Sequence, residues 1–261
     1  MLVAQLLAAV ERLAPPELAE DWDNVGLIVG RHNQPARRLI VALELRDEVL
    51  DEAREHGCDA VLTHHPPIFP SILALSDAGV ASELVLRAAE SRVAVMAAHT
   101  NLDAAAGGLN DIMAALLGMT DLRPLRAAAA DESVGLGRVG RIEPTTLEGL
   151  AARVAAAFGG AGVHYSGDRW GKVSRIACCT GSGGSLIGDA RAADADAYVT
   201  SDLKYHDADR AEGLPLLALP HAAAERVAMR RWTKTLRKAL TGEKVEVRFA
   251  EAETDPWQGV A

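Results

Sequence analysis

The sequence predicts an α/β fold, on three observations, and shows no convincing internal repeat although its two halves share one rhythm. Short apolar runs alternate with amphipathic helical stretches along nearly all of the 261 residues. That order implies parallel strands joined by right-handed helical crossovers. Several apolar runs end in clusters of polar side chains, and carboxyl ends of strands are where open α/β sheets place their sites. The same rhythm restarts after an alanine-rich, acidic stretch from Arg126 to Glu132, which reads as a linker.

Taken in order, Val3 to Leu13 carries leucines and alanines at helical spacing and stops at Pro15-Pro16. Acidic and amide side chains then crowd Trp22, and an apolar run lies between Gly26 and Gly30: a loop feeding a strand. Asp23 and Asn24 there suit either a turn or a site. Arg38 to Leu45 reads as a strand, and Asp47 to Glu55 as a helix with Asp47 near its N-cap. Ala60 to Thr63 is a core strand that Pro66 and Pro67 stop, because proline cannot donate to a sheet ladder. Side chains of neighbouring strand residues point to opposite faces. His64 and His65 stand where the strand has ended, so both imidazoles can turn into one cleft.

Ala81 to Ser91 is the next helix and Val93 to Ala98 the next strand, which runs into His99, Thr100, Asn101, Leu102 and Asp103. With parallel strands, His99 and Asp103 reach the same edge as His64 and His65. Taken alone, Asp103 reads as a helix cap. In the second half, Gly135 to Ile142, Val163 to Tyr165 and Arg175 to Thr180 read as strands, with a helix over Thr146 to Phe158. Gly181 to Ile187 reads as a glycine-rich turn opening a helix, suited to seating an anion or to a bend where only glycine fits. The strand Ala197 to Thr200 ends at Ser201, Asp202, Lys204 and His206. The strand Leu214 to Leu219 ends at Pro220 and His221. A long helix follows through Leu240, and His221 and Glu225, four apart, share one of its faces. Arg226, Arg230, Arg231, Lys234, Arg237 and Lys238 read as the solvated face of that helix. Lys244 to Ala250 alternates like a closing strand. The expected units are residues 1–127 with 235–261, carrying His64, His65 and Asp103, and residues 128–234, carrying His221 and Glu225.

Composition narrows the function classes. The chain is 49% hydrophobic and 24% charged, with a formal charge of −9. A general nucleic-acid binder needs a basic face, so that class loses weight. Of the three cysteines, Cys178 and Cys179 are adjacent and Cys58 stands apart, so no disulfide framework follows and a reducing cytoplasm is expected. No uncharged run reaches membrane-spanning length, and the first residues lack the basic leader of a signal peptide.

His64, His65, Asp103, His221 and Glu225 form a hard-to-borderline ligand set that suits Zn, Mn, Fe, Ni or Co. Two divalent ions are the natural count, with each carboxylate able to bridge. Such a centre would bring the pKa of a bridging water toward neutrality and attract a small anionic substrate. His99 and His206 are candidate proton carriers, with His99 outside the ligand set.

Several stretches together resemble the GTP cyclohydrolase I type 2 homologue family, which includes YbgI-like, NIF-three-like proteins. They are Asp21 to Leu27, Thr63 to Pro66, His99 to Asp103 with Gly107-Gly108, Ser201 to His206, His221 with Glu225, and the closing Thr254-Asp255-Pro256. The resemblance implies two similar α/β units with a dinuclear metal site in the cleft between them, held by the five residues named above. It also implies a toroidal homohexamer, a trimer of dimers, and the chain has no room for the domain that longer members insert mid-chain. The implied chemistry is metal-dependent hydrolysis of a C–N bond, with GTP or another nucleotide as substrate. The alternatives are a metal-dependent phosphoesterase and a non-catalytic metal-binding scaffold.

Overall fold

The computed structural model describes residues 1–69, 71–129, 131–252 and 255–257. Ala130 of the alanine-rich stretch and Thr254 of the closing motif lie outside the described residues. The chain divides into two compact units, residues 1–102 with 229–261, and residues 103–228. The composition of the sequence changes near residue 128. The structural division comes earlier, because the helix containing Met113 and Ala114 belongs to the second hydrophobic core.

In the first unit, α1 (Val3–Glu11) forms because Val3, Leu6, Leu7 and Val10 recur at helical spacing and are buried. Then come β1 (Gly26–Val29), β2 (Arg38–Ala42), α2 (Asp47–Glu55), β3 (Ala60–Thr63), α3 (Val80–Glu90) and β4 (Ala94–Ala97). Strands β2, β3 and β4 are parallel as expected, and Ala42, Thr63 and Ala97 lie level with one another at their carboxyl ends. Strand β1 pairs antiparallel with β4. Ile40, Val61 and Val95 pack against Val49 and Ala53 of α2 and Leu84 and Ala88 of α3. The N-cap of α2 is Arg46, not Asp47. Asp47 sits in the first turn, where a carboxylate suits the positive end of the helix dipole.

Helix α4 (Thr100–Ala104) crosses the division, and α5 (Leu109–Leu116), β5 (Thr120–Ala127) and β6 (Gly135–Thr146) come next. Strand β5 replaces part of the expected linker. It pairs antiparallel with β6, Ala127 opposite Gly135, so the alanine-rich stretch joins two paired strands rather than two units. Its side chains are mostly exposed, half of them are polar, and Pro124 interrupts them, which is how an edge strand hides in a sequence. After α6 (Leu147–Ala157), β7 (His164–Tyr165), β8 (Lys172–Ser182), α7 (Ile187–Ala192), β9 (Ala197–Ser201), α8 (Tyr205–Arg210) and β10 (Leu216–Ala218), the second sheet runs β5-β6-β8-β9-β10-β7. It is parallel across β8, β9 and β10 and antiparallel elsewhere. Strand β8 is buried on both faces: Ile176 and Cys178 enter one core, Ala177 and Cys179 the other. The adjacent cysteines therefore point apart. Burial pushes the Cys178 thiol up to about 12.

Helix α9 (His221–Ala239) begins in the second unit, and its residues from Met229 count with the first. Ala228, Met229, Trp232, Leu236 and Leu240 make a buried stripe, while Arg230, Arg231, Lys234, Arg237 and Lys238 are exposed, as the spacing predicts. Strand β11 (Glu246–Phe249) then pairs in parallel with β2 and completes the sheet order β1-β4-β3-β2-β11. No helix among the described residues is long and apolar enough to cross a membrane.

Candidate functional site

In the first unit, β2, β3 and β4 end level, so the residues just beyond each strand stand side by side. His64 N donates to Ala42 O at 3.2 Å, His65 N to Leu43 O at 3.0 Å, and Ala98 N to Thr63 O at 3.0 Å. Glu44, His64, His65 and His99 thereby share one edge. A ring nitrogen of each of the three histidines lies within 4.8 Å of the others, a spacing that could hold a metal ion. His64 is buried, and His65 and His99 are half-buried.

Each of these imidazoles is tied down through Nδ1. His64 Nδ1 is 2.8 Å from Ala98 O, His65 Nδ1 is 3.3 Å from Glu44 Oε1, and His99 Nδ1 is 2.8 Å from Asp23 Oδ1. A carbonyl or an ionised carboxylate only accepts, so in each case Nδ1 donates and Nε2 keeps its lone pair. Asp23 has no exposed side-chain surface. It accepts from His99, from the Thr100 N–H and hydroxyl, and from the Asn24 N–H. Burial would raise its pKa, but the hydrogen bonds from His99 and Thr100 outweigh it and hold the carboxyl at about 2. Burial likewise acts to raise Glu44, and the His65 hydrogen bond with the Arg46 charge brings it below its ordinary value.

In the second unit, Asp103 is buried in α4, and its Oδ1 accepts from Thr180 Oγ1 at 3.0 Å. Its backbone carbonyl accepts from Asn110 Nδ2 at 3.0 Å, while Asn110 Oδ1 accepts from the Thr180 N–H at 2.9 Å. On the first turn of α9, His221 Nε2 lies 2.8 Å from Glu225 Oε2, and its Nδ1 lies 2.6 Å from Asp202 Oδ2. Burial would lower the His221 pKa, but Glu225 and Asp202 outweigh it and raise it to about 9. Next to Thr180 stands Gly181. A Cβ there would collide with Glu225 Oε1 and come within 3.5 Å of His221 Nε2. Asp103 and Glu225 thus abut consecutive residues of β8, and both add to the burial that raises the Cys179 thiol.

The glycine-rich segment turns later than expected, passing through Gly184–Leu186 into α7, and its first glycines fit the second expectation, a bend where only glycine fits. Gly181 lies within β8, Gly183 donates its N–H to Thr200 Oγ1 at 3.0 Å, and a Cβ on Gly183 would collide with Thr200 Oγ1 and Tyr198 Oη. Close packing requires these glycines, and the Gly183 N–H is already used. His206 lies exposed on α8 against Tyr205 and belongs to no metal-type cluster among the described residues. Sequence patterns alone give Glu44 and Thr180 no role and mark Asp202 only as one of several polar residues at a strand end. Glu44 and Asp202 each follow a strand's carboxyl end, the one signal they carry. It is a weak one, since any strand end collects polar residues.

The family model described as Duf34/NIF3 (NGG1p interacting factor 3) matches residues 1–256. A protein of Lactococcus lactis subsp. lactis named GTP cyclohydrolase 1 type 2 homolog is 39% identical over 79% of this chain and 79% of its own. A protein of the same name from Streptococcus pneumoniae serotype 4 is 33% identical over 100% of both chains. Among solved structures, a Bacillus cereus protein related to NIF3 superposes with a TM-score of 0.93 at 22% identity, covering 100% of this chain and 99% of its own. A Staphylococcus aureus hypothetical protein does so with a TM-score of 0.92 at 26% identity, with the same coverage.

Proposed function

Because this chain belongs to the Duf34/NIF3 family, we propose that it binds two divalent metal ions through His64, His65, Asp103, His221 and Glu225 and uses them in hydrolysis. One observation carries this reading: all three imidazoles of the proposed set, those of His64, His65 and His221, have Nδ1 tied to a protein oxygen. A histidine held that way presents Nε2 in a fixed direction, as metal-ligating histidines do. The donor set is nitrogen and carboxylate oxygen without thiolate, which fits Zn, Mn, Fe, Ni or Co. Bound there, such ions would supply Lewis acidity and lower the pKa of a water toward neutrality.

The protein's own contribution is positional. Ala98 O and Glu44 fix the rings of His64 and His65, Thr180 fixes one oxygen of Asp103, and Asp202 fixes His221. Glu225 and Asp202 favour a proton on the His221 ring. A metal would have to displace that proton, so binding should release protons. His99, held by Asp23, is the proton carrier in this reading, and His206 a weaker second choice given its exposure.

The names of the relatives direct the substrate choice to GTP, and so to C–N hydrolysis of a small anionic nucleotide, while the homohexamer rests on the family resemblance of the sequence motifs. Turnover of GTP by the metal-loaded protein, scored separately for formate and for phosphate, tests this. Formate release that disappears with chelator is the expected result. Phosphate alone would replace the cyclohydrolase reading with a phosphoesterase. Neither product, with metal bound, would leave a metal-binding scaffold.

A further inference from the structure

The first unit holds two exposed aromatic rings beside its imidazole cluster. Trp22 is 55% exposed and Phe69 51% exposed, yet their ring centroids stand 5.5 Å apart, and Trp22 meets His99 edge-on at 6.1 Å. Neither ring is stranded on a loose loop. Asp23 and Glu20, flanking Trp22, are bonded to His99 and Thr100. Asn24 Nδ2 donates to Ile68 O at 2.9 Å, which ties the Phe69 loop to the Trp22 loop. Adjoining exposed apolar side chains rimmed by polar groups are a feature of ligand-binding grooves.

The surface borders a cavity. A cavity of about 490 Å³ is lined by His65, His99, Phe69, Pro67, Leu84 and Arg46, among others. That volume suits a small molecule of nucleotide size. Its lining combines apolar and aromatic walls with a few polar groups. Arg46 pairs with Glu44 at 2.5 Å, and the other Glu44 oxygen lies against His65. Arg46 therefore sets its guanidinium, paired with the Glu44 carboxylate, on the same rim as the imidazoles.

We infer that Trp22 and Phe69 form a ring-holding platform for a planar aromatic or heteroaromatic substrate, whose anionic group is met by Arg46. This rests on the metal-site reading only in taking the His65 and His99 edge as the reacting end. A flat π-face on the ligand matches the two rings, whereas a sugar phosphate alone offers them nothing. Trp22 and Phe69 would thus set which substrates bind, without ligating metal.

The test is calorimetric titration of the metal-loaded full chain with three probes: guanosine 5′-monophosphate, pterin-6-carboxylate and ribose 5-phosphate. At least one of the two ring probes should bind about tenfold or more tightly than ribose 5-phosphate, a typical worth for one stacked base. Trp22→Ala and Phe69→Ala should each remove most of that difference, while Trp22→Phe and Phe69→Tyr keep it. Metal content, measured on every variant, should equal that of the native chain. Ring probes no tighter than ribose 5-phosphate, or unchanged in folded alanine variants, would overturn the inference. So would alanine variants whose assembled mass changes while ring affinity stays, since the rings would then face a second copy. Metal-free native protein would count against the metal reading instead, and the metal analysis tells the two failures apart.

Discussion

Gly181 and Asp23 show how far single atoms govern the candidate ligands. Gly181 has φ +66 inside a strand, and its missing Cβ leaves the space that Glu225 Oε1 occupies. Gly181→Ala must push the buried Glu225 carboxylate aside and strain the backbone. It should lower metal content well below the native ratio and cost about 1–3 kcal/mol in urea unfolding, typical of overpacking. Asp23 is held at about 2, below the ordinary aspartate value of 3.8. A folded pKa below the unfolded one stabilises the protein above about pH 4, and that stabilisation drains away as pH falls toward 2. Asp23→Asn should therefore destabilise by about 2 kcal/mol at pH 7, by roughly half of that at pH 3 and by little near pH 2, measured by denaturant unfolding at each. His64, His65 and His99 were legible in the sequence, because each closely follows a strand whose end the sequence marks. Glu44 and Asp202 were not, because a single carboxylate carries no sign of which histidine it will meet.

At the scale of elements, local chemistry can be checked one cap at a time. Thr146 Oγ1 accepts the Gly149 N–H at 3.1 Å at the start of α6. Thr146→Ala should cost about 1 kcal/mol, read as a lower urea midpoint with unchanged slope. The helices and the parallel trio β2, β3 and β4 could be read from periodicity because each buries a regular apolar face. Strand β5 could not, since Asp121, Arg123 and Arg126 are exposed and it shows no regular apolar face to mark its pairing with β6. Nor could the true course of Gly181 to Gly183. A glycine required by a close neighbour looks, in sequence, like a glycine required by a turn.

For the whole chain, a charge of −9 over 261 residues argues against a nucleic-acid role and suits a protein that binds cations in acidic and imidazole sites. Ions bound only by the folded chain stabilise it by mass action, by about 4 kcal/mol at a thousandfold excess over Kd. Chelation should therefore lower the melting temperature, and restoring Zn, Mn, Fe, Co or Ni should recover it. The most direct measurement is the metal-to-protein ratio of the native chain, purified without chelator or affinity histidines, beside an Asp103→Ala variant shown to be folded. A ratio near two that falls sharply in the variant is the predicted result. A ratio near zero that persists after incubation with each of those ions would contradict the account, leaving the anchored histidines as hydrogen-bonded structural residues.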